Sequence, residues 1–335
     1  MLKPPKLRRG DTIATISPSW GCAGAPRVLW KYRLGCERLR ELGLNVVAAP
    51  NSLRGTTYLR DNPKARAEDL MWAFENPDVQ AILANIGGND SFRLLPFLKP
   101  DVILKNPKIL CGYSDVLTLH LYCYGLGLQT FYGPNLLTTI AGEEWHPYTK
   151  YWFEKTFFDN ASIGLVEPSA DWSYSPENHT NKTYKKTYIP NPGYTYVQGT
   201  GRARGKLFGG HGDLLTLTLP DGTSMVRPEY FEDAILFFED IPEFCDVAYM
   251  RDFFDRLGTL GYLQTLRGVI IGKMRTNQDF KPYTDALREI ISLKYGRPDM
   301  PVLAGLNFGH TSPSFILPYG AEAEVDAERR ELYIC

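Results

Sequence analysis

Apolar residues in the first 165 positions follow two alternating rhythms. Short unbroken runs at Thr12–Ser17, Leu44–Ala49, Val79–Ile86 and Lys108–Cys111 read as buried strands. Between them the spacing lengthens to that of a helix: Val28, Tyr32, Cys36, Leu39 and Leu42 share one face, and Gly43 supplies the stop. Pro63 opens a second helix that runs to Phe74. Strands alternating with helices predict a parallel sheet covered on both faces. Two of the strands run into small-residue turns, Gly87-Gly88-Asn89-Asp90 and Gly112-Tyr113-Ser114-Asp115, and the second leads into an apolar helix near Val116.

Residues 166–200 lose this rhythm and are rich in Pro, Asn, Thr, Tyr and Ser. A structureless stretch of such length is uncommon unless it has a function or is a linker. Its aromatic residues, Trp172, Tyr174, Tyr184, Tyr188, Tyr194 and Tyr196, favour a binding loop over a loose tether. Order resumes near Gly201 with a Gly-rich turn at 209–212, a strand at Ala234–Glu239 and a helix from about Val247. A strand at Val269–Ile271, a helix near Tyr283–Leu293, a strand at Val302–Leu303 and a hairpin over Ala321–Ile334 that turns near Asp326 complete the pattern. The expected fold is therefore α/β in two domains. Residues 1–165 form a doubly wound, mainly parallel sheet, 166–200 an aromatic-rich loop or linker, and 201–335 a smaller α/β or β-rich domain.

Composition narrows the function. The chain has 335 residues, 44% hydrophobic and 22% charged, with a formal net charge of -1. No basic stripe marks a nucleic-acid reader, so a small-molecule partner is expected. The first residues, MLKPPKLRRGDTIATISPS, lack the apolar run of a signal peptide, and no segment is apolar over the length a bilayer requires. Six cysteines without a C-x-x-C pair read as reduced core residues, and a cytoplasmic location is expected.

Ser114 sits where a buried strand turns into a helix, at the carboxyl edge of the sheet where α/β folds hold ligands. As a nucleophile it would have the Asp115 N–H aimed at a developing oxyanion; as a plain helix cap it would need none of this. The tetrapeptide by itself favours the cap, because it lacks the second glycine of the hydrolase elbow. Gly87-Gly88 lets backbone amides approach a ligand closely or simply makes a tight turn. Glu239 ends an apolar strand, and His310 follows another beside Gly309. A serine nucleophile needs a base oriented by a carboxylate, and Ser114, Glu239 and His310 stand in the order nucleophile, acid, base. The remaining histidines, His120, His146, His179 and His211, show no metal-ligand spacing. Gly205-Lys-Leu-Phe-Gly-Gly-His-Gly-Asp lacks the Gly-Lys-Ser/Thr ending of a phosphate loop.

Seven ordered segments bring a resemblance into view: Ile-Ser-Pro-Ser (16–19), Ile-Gly-Gly-Asn-Asp (86–90), Gly-Tyr-Ser-Asp (112–115), Thr-Phe-Tyr-Gly-Pro (130–134), Gly-Lys-Leu-Phe-Gly-Gly (205–210), Phe-Glu-Asp-Ile (238–241) and Phe-Gly-His (308–310). Together they resemble the serine peptidase family of LD-carboxypeptidases and microcin C self-immunity proteins across nearly the whole chain. The resemblance implies a serine carboxypeptidase with Ser114 as nucleophile in the first domain, and His310 as base and Glu239 as its orienting acid in the second. It also implies an oxyanion hole from the Asp115 amide and the Gly88 region. Asn89, Tyr132, His211 and Trp172 are expected on the oxyanion or substrate side. It further implies a homodimer without metal or organic cofactor, acting on a small peptide or an aminoacyl-nucleotide conjugate.

Ile-Gly-Gly-Asn-Asp, Thr-Phe-Tyr-Gly-Pro and the aromatic 166–200 loop look closer to the microcin branch than to the murein tetrapeptide enzymes. His211 departs from the asparagine frequent in that branch, and Glu243 replaces an expected lysine, so both bear on the accepted substrate. The competing expectations are an LD-carboxypeptidase of murein recycling and a non-catalytic binder of a peptide or nucleotide conjugate.

Overall fold

The computed structural model describes residues 1–159, 161–274 and 280–335. Among these residues most strands gather into two sheets, and the first has the order Leu317–Pro318, Phe131–Tyr132, Ile109–Gly112, Ala81–Ala84, Thr12–Ile16, Asn45–Ala48. All neighbours run parallel except Leu317–Pro318, which returns antiparallel from the far end of the chain. The alternation of strand and helix in the sequence produces this doubly wound arrangement, with side chains alternating between two layers. Ile13, Ala81 and Leu83 face the cluster containing Tyr32, Cys36 and Leu39, while Ala14, Ile82 and Ala84 face the opposite side. Ala81–Ala84 and Ile109–Gly112 are buried throughout, as central parallel strands must be, whereas Asn45–Ala48 is largely exposed at the edge.

The second sheet has the order Gly164–Leu165, Glu331–Ile334, Glu322–Asp326, Arg202–Gly210, Ala234–Phe238, Gly268–Gly272, Val302–Leu306, Thr195–Gln198. Its four central strands are parallel and its flanks antiparallel. The open half of Arg202–Gly210 carries alternate cations that meet carboxylates on the paired strand, Arg202 with Glu324 at 3.0 Å and Arg204 with Glu322 at 3.1 Å. The helix Val247–Thr259 covers the sheet with Met250, Phe253, Phe254 and Leu257, and Asp246 caps it by accepting the Tyr249 N–H.

Three local readings change. Gly209 and Gly210 end a strand instead of forming a turn, because a Cβ at 209 would stand 1.9 Å from the Phe237 carbonyl and one at 210 would stand 2.6 Å from Leu117. The 166–200 segment is not structureless: Asp171–Trp172 pairs with Ile189–Pro190, and Thr195–Gln198 forms an outer strand of the second sheet. The cysteines are free, and five are buried, but Cys335 is exposed. One hydrophobic cluster joins both sheets, running from Ile82 and Leu110 to Phe237, Ile270 and Leu303. Aromatic rings stitch the junction, with Tyr319 stacked on His120 at 5.1 Å and edge-on to Phe237 at 5.1 Å.

Candidate active site

In this strand order the chain reverses direction across the sheet between Thr12–Ile16 and Ala81–Ala84, where doubly wound folds open a crevice. The loops Ser17–Trp20 and Gly87–Asp90 flank that crevice, and Ser114 stands at the end of the next strand. Its backbone has φ 65°, a left-handed conformation that costs about 1–3 kcal/mol for a residue with a side chain. Nearby contacts hold it there. The Ser114 N–H donates to the Tyr132 hydroxyl at 3.3 Å, the Tyr113 N–H to Asn135 Oδ1 at 3.3 Å, and the ring of buried His120 bonds the Gly112 carbonyl through Nε2 at 2.9 Å. The serine side chain caps no helix: Ser114 Oγ has no hydrogen-bond partner among the described residues.

The Asp115 carboxylate accepts the Asp90 and Ser91 N–H groups, each at 2.9 Å. It thereby locks the Gly87–Asp90 turn beside the serine. The same turn is held from below by Arg66, a buried guanidinium that grips Asp90 with two bonds of 2.7 and 3.0 Å and also donates to the Pro18 carbonyl at 2.9 Å. Ser19 Oγ completes the brace by accepting the Asn89 N–H at 3.1 Å. A Cβ on Gly87 would lie 3.0 Å from Ser114 Oγ and 3.3 Å from the Asp115 nitrogen. Gly87 therefore leaves the space beside the serine hydroxyl and the Asp115 amide free of a side chain. Gly88, at φ 156°, approaches Ser19 so closely that a Cβ would stand 2.1 Å from its Oγ.

Across the junction, Glu239 follows the buried strand Ala234–Phe238 and is itself fully buried. Its Oε2 accepts both the backbone N–H of His310 at 3.0 Å and the ring Nδ1–H at 2.8 Å. Gly309 makes this approach possible, because a Cβ there would lie 2.1 Å from Glu239 Oε2. Its Oε1 accepts the Tyr132 O–H. Burial alone would raise the Glu239 carboxyl, but His310, the hydrogen bonds and nearby His211 outweigh it and hold the group below its ordinary value. Burial likewise disfavours charge on His310, yet the adjoining Glu239 carboxylate, helped by Asp240 and Glu243, lifts the imidazole above its usual 6.5. With Nδ1 committed to Glu239, Nε2 is the nitrogen left for chemistry, and the His310 ring packs edge-on against Tyr113, the neighbour of Ser114, at 5.0 Å.

The residues singled out from sequence divide. Ser114, Asp115, Gly88, Asn89, Glu239 and His310 are drawn together around the junction by the contacts above. His211 borders it: Nδ1 accepts the Asp213 N–H at 3.3 Å, and buried Nε2 has no hydrogen-bond partner among the described residues. Tyr132 is 1% exposed and spans Ser114 and Glu239. Trp172 also turns inward, 5% exposed, with the buried Lys273 ammonium 4.9 Å from its ring centre. Burial pushes that ammonium down to about 8. Arg66 escaped notice, although a cation in the same helical stripe as Leu70, Ala73 and Phe74 was a legible anomaly. Among the described residues no group of three or more His, Cys, Asp or Glu side chains could hold a metal ion, and no helix is long and apolar enough to cross a membrane.

Comparison with known proteins shows the family and the fold. Residues 13–133 match the model of the LD-carboxypeptidase N-terminal domain, and residues 204–325 that of the LD-carboxypeptidase C-terminal domain. The chain is 30% identical to the microcin C7 self-immunity protein MccF of Escherichia coli, over 98% of this chain and 94% of that one. Among solved structures, an MccF-like protein from Streptococcus pneumoniae in complex with AMP superposes with a TM-score of 0.86 at 29% identity, covering 97% of this chain and 99% of that one. A structure of the microcin C7 self-immunity protein MccF in complex with aspartyl sulfamoyl adenosine gives 0.82 at 28% identity, covering 100% and 98%.

Proposed function

Because the chain belongs to the LD-carboxypeptidase family, we propose that it is a serine-type carboxypeptidase or amidase worked by Ser114, His310 and Glu239. The observation that carries this reading is the pair Glu239–His310, with Nδ1 held at 2.8 Å, next to a serine in a left-handed turn whose hydroxyl has no hydrogen-bond partner among the described residues.

In the proposed reaction His310 Nε2 takes the Ser114 proton as Oγ attacks the carbonyl of an amide near a free C-terminus. The Asp115 amide, with an amide of the Gly88 turn, receives the oxyanion in the gap that Gly87 leaves open. Donors of this kind commonly contribute about 3–4 kcal/mol each to the transition state. His310 then returns the proton to the leaving amine, and water attacks the acyl-serine by the reverse of the same transfers. Glu239 stays ionised and stabilises the imidazolium while it exists.

The substrate reading is an aminoacyl-nucleotide conjugate, supported by relatives whose solved structures hold AMP and aspartyl sulfamoyl adenosine. A murein tetrapeptide is the second reading, favoured by the family description LD-carboxypeptidase. The family resemblance suggests a homodimer and the reduced cysteines a cytoplasmic location, which sedimentation and fractionation test. The decisive assay offers wild type and Ser114→Ala both an aminoacyl-sulfamoyl adenylate and a tetrapeptide ending in D-alanine. Serine-dependent cleavage of the first is expected, with turnover lowered by roughly 10⁴–10⁶-fold in the variant. Cleavage of the tetrapeptide alone selects the second reading. Cleavage of neither, or full activity in Ser114→Ala, overturns the enzyme reading in favour of a binding protein.

A further inference from the structure

The acid and the nucleophile come from different sheets, so their relative placement depends on whatever crosses the junction. A single phenol does so directly. Tyr132 ends the strand beside Ile109–Gly112, is fully buried, and packs against Phe237 of the second sheet at 5.6 Å and against Tyr319, which follows Leu317–Pro318, at 6.5 Å. Its oxygen accepts the Ser114 N–H at 3.3 Å and its O–H donates to Glu239 Oε1. A hydroxyl has one proton to give, so the two bonds assign themselves. The amide can only donate, the carboxylate can only accept, and the phenol relays between them.

Resting on the serine-hydrolase reading above, we propose that Tyr132 is a positioning residue that sets the Ser114 backbone against Glu239 and tunes the basicity of His310 through that carboxylate. It touches neither substrate nor reacting atoms. Each Glu239 oxygen has its own donors: Oε2 takes two from His310, and Oε1 takes the one from Tyr132. Without the phenol O–H, Oε1 becomes a buried, unpaired acceptor and negative charge concentrates toward His310. The imidazolium is then better stabilised, and the neutral base is harder to obtain. On the other side the Ser114 N–H loses its acceptor, so the strained turn is held less firmly.

The charged and titratable groups facing this relay are few. Asp240 and Glu243 join Glu239 in raising His310, while His211 acts on Glu239 in the same sense as His310. Asp240 is fixed by the Gly212 N–H at 2.9 Å and the Tyr249 O–H at 2.7 Å, and Glu243 is exposed. The Tyr132 oxygen bonds Ser114 and Glu239, and no hydrogen bond joins it to Asp240 or Glu243 among the described residues. Tyr132 itself stays protonated, because burial and then the Glu239 charge push its hydroxyl well above the ordinary value.

The test follows covalent labelling of Ser114 by a fluorophosphonate probe across pH, in wild type, Tyr132→Phe and a variant bearing 3-fluorotyrosine at position 132. In wild type the labelling rate should fall as pH drops through a value above 6.5, the side on which His310 takes a proton. Tyr132→Phe should lower the maximal rate by about 10–100-fold, the worth of a hydrogen bond to a charged group, with the probe's half-saturation changed less than about twofold. Its acid limb should move up by roughly 0.5–1 pH unit. The fluorinated phenol, a stronger donor of nearly the same size, should move that limb down. Limbs that coincide in all three proteins overturn the relay, even if rates fall. If Tyr132→Phe does not fold, the fluorotyrosine limb alone decides the matter, downward in support and unmoved against. Failure of the wild type to label at Ser114 overturns the hydrolase reading itself, and the relay with it.

Discussion

At Gly87 a hydrogen atom stands where any other residue would place a methyl group between Ser114 Oγ and the Asp115 amide. The space matters more than the backbone there, because the turn is also fixed by Asp115 and Ser19 from outside. Gly87→Ala should therefore fold yet lose about 10²–10³-fold in turnover, the scale for spoiling an oxyanion site. Retained turnover with a normal melting curve would show that the oxyanion sits elsewhere. At this scale the sequence was partly legible. Ser114, Glu239 and His310 could be picked out as strand-end residues, but their convergence could not, because it depends on Gly309 and Gly272 letting backbone pass close to Glu239. Tyr132 and Trp172, expected on the oxyanion or substrate side, are both buried against protein groups. An aromatic residue reads the same in sequence whether its polar tip meets a ligand or a buried carboxylate.

The helix Pro63–Glu75 shows how one element serves two purposes. Leu70, Ala73 and Phe74 bury its apolar stripe, and Arg66 one turn earlier carries a charge into the same interior to hold Asp90. A buried pair of this kind adds little net stability when whole, but breaking it strands a charge and costs about 3–5 kcal/mol. Arg66→Ala should lower stability by that amount and slow turnover by releasing the Gly87–Asp90 turn. Adding Asp90→Ala should restore much of the stability but not the turnover. Denaturant unfolding of the two single variants and the double variant checks this, and additive losses in the double variant would refute the coupling. Helices and central strands emerged from periodicity because burial on both faces leaves an unmistakable apolar run. The short strands at 171–172, 189–190 and 195–198 did not, since edge and hairpin positions are half solvated and carry no such run.

Over the whole molecule the two sheets share one apolar cluster and exchange segments: Leu317–Pro318 joins the first sheet, while Gly164–Leu165 and Thr195–Gln198 join the second. Independent domains would unfold separately, but elements interlocked in this way should unfold together. Circular dichroism, tryptophan fluorescence and calorimetry are expected to report one coincident transition. Two separated transitions would mean that the shared cluster is too weak to couple the halves. The division into a first and second half was visible in the sequence. The exchange was not, because strand pairing across nearly 190 positions (Phe131 with Pro318) leaves no local pattern in either partner.

That late-arriving strand has a consequence for how the protein is made. Phe131–Tyr132 lies exposed at a sheet edge until Leu317–Pro318 is synthesised, and His310 and Glu239 also emerge only after Ser114 has long been translated. On the proposed reading, a nascent chain cut before His310 carries the serine without its base and is expected to be silent as a hydrolase. It also carries an unpaired strand edge, which invites association with other chains. Chaperone capture of the growing chain should accordingly persist until Leu317–Pro318 has emerged to pair with that edge.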